Sequence, residues 1–231
     1  AGVSVALVLA MGPESAGGTR LVDVLLGASV GLLFSQVLFT SNPFSDIGRS
    51  TSDFLRQLGN GMDRMLRACE VQSSKGAEAA LSQLSDAQSA LAALRAAVAE
   101  AQVSKRWSLR GRLHAERINI VTQRYDRHAI RVYATSLLLA ESISRAMSHT
   151  HTPPPAAVMT YCQWLSDNCM ELARQSTVFV LKESAPQAYM GKQPQSTIYK
   201  CDILPPEWLI VEDNAKQLEY ALQVLLCSRD A

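Results

Sequence analysis

Apolar residues are distributed along this chain in two distinct ways. From Leu21 to Phe39 the sequence LVDVLLGASVGLLFSQVLF is apolar on every side and carries one charge, Asp23. At about 1.5 Å per residue such a helix reaches roughly 28 Å, close to the ~30 Å hydrocarbon core of a bilayer. The spacing predicts a transmembrane helix over about 20–40. Beyond Pro43 the apolar positions instead fall three and four apart, the period of a helix with one buried face. Ile47, Phe54, Leu58, Met62, Met65 and Leu66 mark a helix from Asp46 to about Gln72, capped by Ser45 or Asp46, with Gly59 and Gly61 weakening its middle. Leu84, Ala87, Leu91, Leu94, Val98 and Ala101 form a coiled-coil seam between about Lys75 and Val103. The same alternation runs from Leu113 to about Ser148 through Ile118, Val121, Tyr125, His128, Val132 and Leu139. It returns from the prolines at 153–155 to about Lys182 through Val158, Cys162, Leu165, Cys169 and Leu172. Pro186 to Pro206 reads as extended. A last helix, with Glu212 and Asp213 at its cap, spans about Asp213 to Cys227.

The fold class expected from this pattern is all-α: the end of a membrane helix domain followed by an antiparallel helical bundle. Short connections between long helices make sequential helices antiparallel neighbours. Residues 1–42 are read as the remnant of a membrane hairpin and 43–231 as the bundle domain. Gly2 to Met11 is apolar but too short to span, so it is read as the truncated end of an earlier membrane helix, and the chain as a fragment. Arg49, Arg56, Arg64 and Arg67 follow the apolar segment, against Glu14 alone over residues 12–19, although Arg20 lies on that same flank. By the positive-inside bias this puts residues 43–231 on the cytoplasmic side of a bacterial inner membrane.

Charge sharpens that picture. Residues 41–149 hold fifteen Lys/Arg against ten Asp/Glu and residues 150–231 hold six against nine, so the middle is basic and the tail acidic. An antiparallel return brings Lys105, Arg106, Trp107, Arg110 and Arg112 back to the membrane interface as a basic turn, where cations meet anionic headgroups and indole prefers the interfacial layer. Arg117, Arg124 and Arg131, seven apart, extend a basic stripe along the next helix. No nucleic-acid module accompanies it, and a solvated face near anionic lipid accounts for it without a nucleic-acid partner.

Five cysteines at irregular spacing suit reduced core thiols rather than a disulfide framework. His149, His151, Cys162 and Cys169 match no common metal-ligand spacing, so no metal is expected. Neither a phosphate-binding glycine loop, a GxSxG elbow, an HExxH pair nor a Cys/His nucleophile arrangement is present. The chain is therefore expected to have no catalytic site and no cofactor.

What remains is a polar stripe in the apolar helix: Asp23, Gly27, Gly31 and Ser35 recur every fourth residue, with Arg20 one turn before. Small residues at that spacing admit a second helix, and an acid there faces protein or water because lipid disfavours it. The stretch GGTRLVDVLLGASVGLLFSQVLFTSNP, with Arg20, Asp23, Gly27 and Pro43, resembles the last membrane helix of the fusaric acid resistance and aromatic acid exporter superfamily. That resemblance implies a permease exporting aromatic or related organic acids, whose upstream membrane helices, lipid bilayer, periplasmic adaptor and homo-oligomer would be its partners. The rival reading is a membrane-anchored helical scaffold or signalling module in which the seam from Leu84 to Ala101 pairs between subunits.

Overall fold

A computed structural model describes residues 13–38, 43–107, 115–149, 154–181 and 205–226, with side-chain surroundings for 18, 20–31, 44–104, 115–149, 154–176 and 205–226. The described residues form six helices and no strand: α1 (Pro13–Leu38), α2 (Pro43–Glu70), α3 (Ser74–Trp107), α4 (Ala115–His149), α5 (Ala156–Leu181) and α6 (Pro206–Leu226). The all-α class expected from the periodicity is the class observed. The chain divides into two compact units, Ala1–Ser41 and Asn42–Ala231.

In the second unit α2 packs along both α3 and α5, α3 along α4, and α4 along α6, with lighter contacts between α2 and α4 and between α5 and α6. Cross-helix hydrogen bonds give the register. Along α2 and α5, Gly48 O accepts from Ser176 Oγ at 3.0 Å, Ser52 Oγ donates to Ala173 O at 2.7 Å, and Gly59 O accepts from Ser166 Oγ at 3.0 Å. Rising numbers on α2 thus meet falling numbers on α5. The same holds for α4 and α6, where Arg124 Nη1 donates to Leu226 O at 3.1 Å and Asn214 Nδ2 to Leu138 O at 3.4 Å.

The core is where the periodicity puts it. Ile47, Phe54, Leu58, Met62, Met65 and Leu66 of α2 are buried, as are Leu84, Ala87, Leu91, Leu94, Val98 and Ala101 of α3. The α3 seam is therefore covered within this chain. On α4, Ala129 takes the buried position expected of His128, which is half-buried.

Helix ends depart from expectation for local reasons. Proline has no N–H to lose in a first turn and its φ suits that position, so α2 and α6 begin at Pro43 and Pro206, ahead of the starts expected at Asp46 and Asp213. Starting α6 seven residues before Asp213 buries Trp208 and Val211. It also places Glu212 inside the helix, buried and paired with Lys216 at 2.6 Å, instead of at a cap. Helix α3 continues to Trp107, so Lys105, Arg106 and Trp107 are helical rather than part of a turn. Between α2 and α3 the chain reverses on Gln72, at φ 51°, with Ser73 N–H donating to Ala68 O at 2.9 Å and Gln72 N–H to Cys69 O at 3.2 Å. These two bonds satisfy the last carbonyls of α2 in a Schellman arrangement. Ser73 Oγ then accepts from Gly76 N–H and caps α3.

Gly59 and Gly61 do more than loosen α2. A Cβ on Gly61 would lie 2.6 Å from Cγ and Cδ2 of Leu84, and one on Gly59 2.9 Å from Cγ and Sδ of Met170. Their missing side chains let α3 and α5 approach the α2 backbone from two directions.

Candidate functional site

In the first unit, α1 is a helix whose described side chains are exposed all round. Leu21, Val22, Leu25, Leu26 and Val30 are exposed, and Val24 is 69% exposed. Of the stripe residues, Arg20, Asp23, Gly27 and Gly31 are all on exposed helix, like the residues around them, and a Cβ on either glycine would meet nothing within 4 Å. The side chain of Ser35 lies outside the described residues. Among the described residues no helix is long and apolar enough to cross a membrane. The apolar run in the sequence continues through Leu32, Leu33, Phe34, Val37, Leu38 and Phe39, which are outside the described side chains. Of the expected interface residues, Lys105, Arg106 and Trp107 have only their helical backbone described, and Arg110 and Arg112 lie outside the described residues.

On the basic stripe of α4 Arg131 is exposed and Arg117 and Arg124 are half-buried, and each guanidinium also lies against an aromatic ring. Arg117 lies over the Phe44 ring at 5.2 Å, Arg124 over Tyr125 at 5.8 Å and Arg131 over Tyr220 at 5.2 Å. Arg124 also donates to Leu226 O at the end of α6, where the helix dipole favours a cation. Such contacts are worth about 0.5–2 kcal/mol each, so Arg117 and Arg131 through their rings, and Arg124 through Leu226 O, join α4 to α2 and α6 as well as carrying charge. Heptad spacing is the signal; Tyr125 is the neighbour of Arg124 on α4, and the Phe44 and Tyr220 rings, from α2 and α6, are not legible from it.

The cysteines Cys69, Cys162 and Cys169 are free and buried. Burial pushes the Cys69 thiol up to about 11, with Glu70 adding to the rise, Cys162 up to about 12, with Cys69 adding, and Cys169 up to about 12. Their ordinary value is 9.0. Above pH 9 the unfolded chain sheds these protons before the folded one does, so stability is full below pH 9 and is expected to fall as pH climbs toward 12. Urea unfolding between pH 8 and 11 checks this. A Cys162→Ala, Cys169→Ala chain should lose stability less steeply over that range, and an identical slope would contradict the assignment.

Among the described residues no group of three or more His, Cys, Asp or Glu side chains is placed to hold a metal ion. His149 closes α4, His151 lies outside the described residues, and Cys162 and Cys169 are in the core.

The described residues of the second unit form a cleft of about 340 Å³ between the end of α4 and the start of α6. Leu138 and Ala146 of α4 and Ile210 of α6 supply its apolar lining, and Glu141, Arg145 and Glu207 its charges. Leu138 and Arg145 continue the heptad of Arg117, Arg124 and Arg131. Glu141 pairs with Arg145 one turn on, at 2.5 Å. Nothing in the sequence pattern singled this place out, because its walls come from residues about sixty positions apart. Compared with protein-family models, curated proteins and solved structures, the chain matches none.

Proposed function

We propose that this chain is the C-terminal part of an inner-membrane permease that exports aromatic or related organic acids, with residues 43–231 as its cytoplasmic antiparallel bundle. One observation carries the reading: an apolar helix, uncovered on every described face, is joined to a helical unit that closes a core of its own. Water disfavours such a helix, and the stable surroundings for one that is apolar all round are lipid or other helices. The open space beside Gly27 and Gly31 is the kind that a close-packed membrane helix fills. Arg20 and Asp23 then lie where upstream helices of the permease would meet this one, and the resemblance of residues 17–43 to the exporter superfamily supplies the substrate class.

In this reading the bilayer and the upstream membrane helices are the partners of α1, and a periplasmic adaptor and further copies of the permease are partners of the assembly. The basic run from Lys105 to Arg112 sits against the inner leaflet. The test is made in cells. Deleting the gene should raise intracellular accumulation of at least one of a panel of aromatic acids, and the tagged protein should remain in the membrane after alkaline extraction. Unchanged accumulation across the panel, with the protein released by alkali, would overturn the proposal.

A further inference from the structure

The cleft between α4 and α6 lies at one end of the bundle. Phe44 packs under Arg117, and Gly48 pairs with Ser176, so the starts of α2 and α4 and the end of α5 share the opposite end. The thirty-odd residues of α4 separate the two ends by about 50 Å.

Two features of the cleft call for an occupant. Leu138 is 49% exposed and Ile210 60% exposed, and with Ala146 they line a concavity whose volume is at the small end of the ~300–1,000 Å³ range of small-molecule sites. Its polar groups are mostly committed within the protein. Glu141 and Arg145 neutralise one another, the Ser142 hydroxyl donates to Leu139 O at 2.8 Å, and the Asn214 amide donates to Leu138 O. Two lining groups are not: the His149 imidazole, exposed at the end of α4, and Glu207, half-buried in the first turn of α6, whose carboxylate makes no ion pair among the described residues. The last carbonyls of α4, ending at His149, add the negative end of a helix dipole on the facing wall. The formal charge without an ion-pair partner in this mostly apolar cleft is thus the Glu207 carboxylate, offset only in part by the positive end of the α6 dipole in whose first turn it lies.

We infer that this cleft is a binding site for a protonated organic amine with an apolar body about the size of one aromatic ring. The ring covers Leu138, Ala146 and Ile210, and the ammonium group pairs with Glu207. The site stands on the geometry of the second unit and does not depend on the transport proposal. An anion of the same shape is disfavoured, since it would meet Glu207, and the Arg145 charge is already partly neutralised by Glu141.

The test is calorimetric titration of the full chain with phenethylammonium, and with phenylacetate as its anionic counterpart. Phenethylammonium should bind saturably with one site per chain, and phenylacetate should give no saturable heat. Glu207→Gln and Ile210→Ser, on partly or fully exposed positions that the fold does not need, should each weaken the amine by about tenfold, the loss of one charged contact or of one apolar wall. Equal or tighter binding of phenylacetate, an unchanged amine affinity in both variants, or no saturation would overturn the inference. So would a dimer abolished by Ile210→Ser, which would make the cleft a contact between copies.

Discussion

Replacing Trp208 by alanine should lower the unfolding free energy by about 3–5 kcal/mol, the usual cost of emptying a large buried aromatic site. Trp208 is 1% exposed and is the largest of the fully buried side chains in the described residues. Its backbone N–H also closes the first turn of α6 on Pro205 O at 2.9 Å. A loss of that size is a large share of the ~5–15 kcal/mol that holds a domain folded. The indole has a second property that separates packing from hydrogen bonding: its Nε1 is buried and without a partner among the described residues. A buried donor left unsatisfied costs about 1–3 kcal/mol, so Trp208→Phe removes that penalty while keeping most of the apolar volume. The phenylalanine variant should therefore stay within about 1 kcal/mol of the parent, against several for alanine. Urea unfolding of the full chain, followed by far-ultraviolet circular dichroism, measures both. Equal losses for the two variants would show that the indole N–H matters and that the packing argument is wrong.

The second large effect concerns Gly61 and Leu84. On an exposed helix Gly→Ala stabilises by about 1 kcal/mol. At Gly61 the new methyl would sit 2.6 Å from Leu84, and it would strike Cγ as well as a terminal methyl, in a side chain that is 0% exposed. The branch carbon cannot swing away as a chain end can, so overpacking of about 1–3 kcal/mol outweighs the propensity gain and Gly61→Ala destabilises. Leu84→Ala alone leaves a cavity and costs about 2–5 kcal/mol. When both are made, the methyl added at position 61 enters the space that the leucine vacated, and the helix propensity is recovered. The double variant should then be more stable than Leu84→Ala alone, a coupling of about 1–3 kcal/mol in a double-mutant cycle. Strict additivity would mean that the two positions do not share the space. Gly59 supplies the contrast, because its close neighbours are Cγ and Sδ of Met170, and a thioether chain re-routes more easily than a leucine branch. Gly59→Ala should cost less than Gly61→Ala in the same measurement.

Much of the bundle is legible in the order of residues, and the places where reading falls short have specific causes. The α3 seam and the buried faces of α2, α4, α5 and the second half of α6 follow from the three-four alternation, because a helix that buries one face must repeat that way. The beginnings of α2 and α6 escape the pattern, because a proline that reads as a break serves there as a first-turn residue. Extending α6 back to Pro206 changes more than a boundary: it brings Trp208 into the core and Glu207 and Ile210 to the cleft. The three arginines on α4 illustrate a different shortfall. Their heptad spacing puts them on one stripe, but a stripe has no partner until another helix lies beside it, and here Phe44 and Tyr220 come from α2 and α6.

From the order of its residues alone, this protein was bound to be helical. Each segment's periodicity makes one side insoluble in water, and a segment apolar on every side follows the same rule in the extreme. What only the packed structure decided are relations between helices: the room beside Gly61, the Phe44 and Tyr220 rings beneath Arg117 and Arg131, and the cleft bounded by Leu138 and Ile210. Those depend on the distance and register of two surfaces far apart in the chain, and no local pattern of hydrophobicity encodes a distance between surfaces.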